Sequence, residues 1–137
     1  MKSRSESLIR LKKFEVDERR RKVAQIEMMI ADFERMASEL DQQIEIEQQK
    51  TGISDVAHFA YSTFAKAAIV RRDNLLASAA DMRDQLETAQ DSLAEAVEDL
   101  KKVELLDQRE HTREAADEAK AEQSEYDEMG RLRHMRR

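Results

Sequence analysis

The chain has 137 residues, with no Pro, Cys or Trp and only two Gly, and charged residues make up 39% of it. Without Cys there is no disulfide framework and no thiol chemistry, and no stretch approaches the ~20 apolar residues that span a bilayer. The net charge of −6 is uneven: residues 1–22 carry +5, residues 129–137 carry +4, and the body between them carries −15.

Pro costs about 3 kcal/mol inside a helix and Gly about 1. A chain that avoids both is free to run in long helices. Glu, Lys, Arg, Gln, Ala and Leu dominate, as in coiled coils, and no stretch alternates with period two. The basic N-terminus lacks a continuous apolar run, so no secretory signal is expected. The absence of Cys is compatible with a reducing cytoplasm.

The first helix is expected over about 4–49. Ile9, Val16, Val23, Ile30, Ala37 and Ile44 recur every seven residues, with Ile26, Phe33 and Leu40 between them. Lys12 and Arg19 occupy the alternate positions nearer the N-terminus, so the first turns should pair more weakly. Their stems can still cover apolar surface. A turn is expected over 50–55, around Gly52, because Gly accepts the left-handed conformation that ends many helices. Ser54 or Asp55 can then cap the next helix. The turn makes the two helices antiparallel neighbours.

Residues 56–70 form a tip segment of different character. Phe59, Tyr61 and Phe64 are three of the six aromatics, and charge is nearly absent. Two readings stand open. The aromatics fold over Ile44 and Ile53 as a small local core, or they form an exposed patch that meets a partner.

A second helix is expected over about 61–129. Leu75, Ala79, Met82, Leu86, Ala89, Leu93, Ala96, Leu100 and Val103 alternate steps of four and three, the heptad signal of a coiled coil. Large residues alternate with alanine, which predicts helix axes near the low end of roughly 8–10 Å apart. The second helix outruns the first, which should end opposite residues 102–112. The stretch 110–128 then has no partner and relies on Ala propensity and on pairs such as Glu110–Arg113 and Asp117–Lys120. Gly130 is expected to break the helix and leave a basic tail over 130–137. The fold class is therefore all-α: a long antiparallel two-helix coiled-coil hairpin with an overhanging C-terminal helix.

Catalysis finds no support. His58, His111 and His134 are scattered, so no metal or cofactor site is expected, and there is no Gly-rich phosphate loop. Two helices offer no concave pocket for a small-molecule ligand. Arg19-Arg20-Arg21-Lys22 is basic, but Asp17 and Glu18 precede it and the acidic body repels phosphate, so no nucleic-acid role is expected. A membrane-surface role for the basic N-terminal helix remains open, as do a structural spacer that dimerises through the seam and a clamp for unfolded substrate.

The basic stretch 7–21, the Gly-containing turn, Phe59-Ala60-Tyr61 and Arg71-Arg72-Asp73-Asn74-Leu75 before a long second helix resemble the flagellar export protein family FliJ in its alphaproteobacterial form. The resemblance implies a stalk-like coiled coil of the flagellar type III export apparatus, cytoplasmic and peripheral to the inner membrane. It implies contacts with the export ATPase FliI, with the export gate protein FlhA and with free export chaperones. Comparison of an apolar tip with charged ends places Phe59, Tyr61, Phe64 and Ala68 on the gate. The same comparison places Arg19, Arg20, Arg21, Arg131 and Arg133 on the ATPase. A hairpin that covers its own seam is expected to be monomeric when free.

Overall fold

The computed structural model describes residues 4–136. Two helices account for nearly all of them: α1, Arg4–Thr51, and α2, Thr63–Met135. No strand occurs among the described residues. The chain divides into two units, a hairpin unit of Asp17–Glu95 and a terminal unit of Met1–Val16 with Ala96–Arg137.

In the hairpin unit α1 and α2 are antiparallel. Arg19 meets Ser92, Glu34 meets Arg83, Asp41 meets Arg72 and Glu47 meets Ser62, one number rising as the other falls. The core is the seam itself. Ile26, Ile30, Ala37, Ile44, Ala79 and Ala89 are buried, and Val23, Met82 and Leu86 pack on the Ile26–Ile30–Ala89 cluster. Alanines rather than large side chains are the most deeply buried, Ala65 and Ala79 at 0% exposure. Small side chains at such positions leave room for two helices to approach.

In the terminal unit the first turns of α1 lie beside α2. Val16 and Ala96 are buried, Ile9, Lys12, Leu100 and Val103 are half-buried, and Ser5 Oγ donates to Glu110 Oε2 at 3.3 Å. The first helix therefore ends opposite residue 110, within the range that helix lengths predict. From Gln108 to Arg136 every residue is exposed.

The structure differs from the sequence expectation in three places. Gly130 does not break α2, which continues to Met135. A single Gly costs only about 1 kcal/mol in a helix, and Gly130 does not adopt positive φ. The tail 130–137 is thus helical as far as Met135, and Arg137 lies outside the described residues. Second, Glu110–Arg113 and Asp117–Lys120 form no ion pair among the described residues; the His111 ring lies beside the Asp107 and Glu114 carboxylates, and Gln123 Nε2 donates to Asp127 Oδ1 at 3.1 Å. Exposed pairs of long side chains gain little over their lost freedom. Third, α2 starts at Thr63, because Ser62 rather than Ser54 or Asp55 is its cap: Ser62 Oγ accepts from Ala65 N at 3.2 Å.

The two glycines should respond oppositely to substitution. Gly52 has φ of +71° and Gly130 does not, and an added Cβ meets nothing within 4 Å at either. Gly52→Ala forces an L-residue into the left-handed region and should cost about 1 kcal/mol. Gly130→Ala should raise the helical content of the C-terminal stretch by a gain of up to about 1 kcal/mol. Circular dichroism during urea unfolding reads both. Ala79→Leu should destabilise by about 1–3 kcal/mol through overpacking of a fully buried seam position, seen in the same titration.

Candidate interaction surfaces

The tip is built by local hydrogen bonds. Gly52 N donates to Gln48 O at 2.9 Å and its positive φ turns the chain out of α1. Asp55 Oδ1 accepts from Ala57 N at 3.0 Å, the short-range bond by which Asp organises turns. Asp55 O accepts from His58 N at 3.1 Å, and His58 O from Tyr61 N at 3.0 Å. His58 Nδ1 accepts from Ala60 N at 3.0 Å, which places the proton of the neutral ring on Nε2. The chain between the helices is thus a bonded scaffold.

The aromatics divide on this scaffold. Tyr61 is 4% exposed, and its hydroxyl accepts from Gln48 Nε2 at 2.8 Å. Phe59 is 94% exposed and stacks on His58 with centroids 4.7 Å apart. Phe64 and Val56 are also exposed. Ala68 is buried. Of the four residues placed on the gate, Phe59 and Phe64 therefore offer surface, while Tyr61 and Ala68 are seam residues. Stepping back from Leu75 by three and four reaches Arg72, Ala68, Ala65 and Tyr61. That continuation was readable in the sequence; the density of apolar residues around it hid it.

Arg72 is a seam position that sequence reasoning missed. It bonds Asp41 of α1 at 2.8 Å and Asp73 at 3.0 Å. The Asp41 hydrogen bond first, then Asp73, holds its guanidinium above the usual arginine range. A raised pKa gives stability that is fully present below the unfolded value, so this contribution is constant across neutral pH and is lost only in strong alkali. Arg83 of α2 pairs with Glu34 of α1.

The cationic candidates also divide. Arg19 lies half-buried at the seam and donates from Nε to Ser92 Oγ at 2.8 Å. Arg20 and Arg21 are exposed one and two residues on, in the hairpin unit. At 1.5 Å per residue they stand about 45 Å along α1 from its end at the tip. Arg131 and Arg133 are exposed in the terminal unit, near the apolar residues Tyr126, Met129, Leu132 and Met135, all exposed. Among the described residues no helix is long and apolar enough to cross a membrane, and no group of three or more His, Asp or Glu is placed to hold a metal ion.

The model of one family, described as Flagellar FliJ protein, matches residues 1–137. The chain belongs to the FliJ family. Comparison with curated proteins and with solved structures gave no match. Membership makes the chain a component of the flagellar export apparatus, in a family of structural export proteins. The helical hairpin agrees with the fold that the resemblance implied.

The tip separates into parts that substitution can tell apart. Phe59→Ala should leave thermal stability unchanged, since almost none of the ring is buried. Tyr61→Ala should lower stability by about 3 kcal/mol through the lost ring and the orphaned Gln48. Thermal melts of the two variants check this, and equal losses would make Phe59 part of the core.

Proposed function

We propose that this FliJ-family protein is a stalk-like adaptor between the export ATPase and the export gate. The observation that carries the proposal is that each unit offers an exposed feature with nothing packed on it. The hairpin unit presents Phe59 on a hydrogen-bonded loop and Phe64 in the first turn of α2. The terminal unit presents helix from Gln108 to Arg136 with every residue exposed. A fixed loop loses little freedom on binding, which favours its use as a contact.

In this reading Phe59 and Phe64 meet the gate. Arg131 and Arg133, with Arg20 and Arg21, meet acidic surface on the ATPase, where opposite charge speeds encounter. Free export chaperones are further partners, and the protein works peripherally at the cytoplasmic face of the inner membrane. The seam of the hairpin unit is covered within one chain, which supports a monomer over a spacer that dimerises through the same stripe.

Deletion of the gene tests the reading, scored by swimming in soft agar and by filament counts. Loss of motility is expected, with restoration by the full chain. A copy carrying Phe59→Ala and Phe64→Ala should fold, yet swim poorly and bind the purified gate about tenfold more weakly. Normal motility of the deletion strain would refute the export role.

A further inference from the structure

Phe59 is 94% exposed, so packing does not set the direction of its ring. His58 does. Its Nδ1 accepts from Ala60 N at 3.0 Å, a bond that spans residue 59. Tyr61 N donates to His58 O at 3.0 Å, which closes a turn over 58–61 with Phe59 in its first central position. The Phe59 ring then lies on the His58 imidazole, with centroids 4.7 Å apart and planes 22° apart. One side chain thus holds Phe59 at two points, through the backbone beyond it and through the face of its ring.

The backbone point depends on protonation. Nδ1 accepts a hydrogen bond only in the neutral ring. A proton on Nδ1 sets two donors face to face, and the Ala60 N–H must turn to water. The surrounding elements offer the charged ring no substitute hold. Their charged side chains are Asp55 on the loop, Glu47 and Lys50 at the end of α1, and Lys66 at the start of α2. Asp55 Oδ1 already accepts from Ala57 N, and Glu47 Oε1 from Ser62 Oγ. The titratable hydroxyl of Tyr61 is bonded by Gln48. No ion pair among the described residues includes His58.

We propose that His58 is a positioning residue for Phe59: the neutral imidazole fixes the exposed phenyl ring for docking into an apolar pocket of the gate, and protonation releases it. The docking step rests on the adaptor reading above; the hold on the ring does not. A side chain ordered before binding loses less freedom on docking, so release weakens the contact. It leaves the hairpin folded, because His58 is exposed and lies outside the seam. The bond belongs to the neutral ring, so the hold is complete above the range in which an imidazole gains its charge, about pH 5 to 8, and is lost as pH falls through it.

The test has two arms, both on the full chain. In the first, NMR of the labelled free protein follows the His58 ring, the Ala60 amide and the Phe59 ring from about pH 8 to about pH 5. The Ala60 and Phe59 signals should move with the midpoint of His58. In His58→Asn they should stay in place, since an Asn side chain also bonds the amide two residues on and does not titrate. In the second arm, binding to the purified gate should weaken about fivefold from pH 8 to pH 5 in the parent, as loss of one ordering bond predicts. His58→Asn should bind equally at both, and His58→Ala should bind at pH 8 as weakly as the parent does at pH 5. Ala60 and Phe59 signals that ignore the His58 titration would overturn the proposal, as would the same pH response in His58→Asn. Should Phe59→Ala bind the gate as tightly as the parent, the contact assigned to Phe59 fails, and with it the docking step; the first arm still decides whether His58 holds the ring.

Discussion

Two helices that each expose an apolar stripe are unstable until one covers the other. The most buried residues of the hairpin unit are alanines, Ala65 and Ala79 at 0% exposure, with isoleucines such as Ile26 and Ile44 set between them. Much else follows from that buried seam. Long side chains cannot enter such a seam without a partner, so Arg19 reaches Ser92 and Arg72 reaches Asp41 across it. These two polar intrusions are met by the opposite helix, which ties the register.

The tip obeys a different rule. A chain leaving α1 through Gly52 must satisfy its backbone without a helix, and Asp55, His58 and Ser62 supply the bonds. Tyr61 then closes the seam from above, anchored to Gln48. The loop holds its shape without burying Phe59. That separation leaves an aromatic ring at the surface, which the proposed adaptor role takes as its contact.

The seam was legible in the sequence from Leu75 onward, while its continuation through Arg72, Ala68, Ala65 and Tyr61 was masked by the apolar residues around it. All nine positions named on the second helix, from Leu75 to Val103, are buried or half-buried, as are those of the first. Heptad spacing dictates this, because each position is set by its neighbours in the same helix. The tip was legible only in outline. Its cap at Ser62 depends on Glu47, fifteen residues away, and the split between buried Tyr61 and exposed Phe59 depends on where the loop ends. The pairings of the C-terminal stretch were misread, since exposed charges choose partners by small differences. Gly130 was read as a stop where its neighbours carry the helix through.

The most direct test of the adaptor account is site-specific photocrosslinking in swimming cells, with benzoylphenylalanine placed in turn at positions 59 and 129. The account predicts a crosslink to the export gate from position 59 and to the export ATPase from position 129, each in a strain that still swims. Crosslinks to the same partner from both positions, or from neither to any export protein, would contradict it.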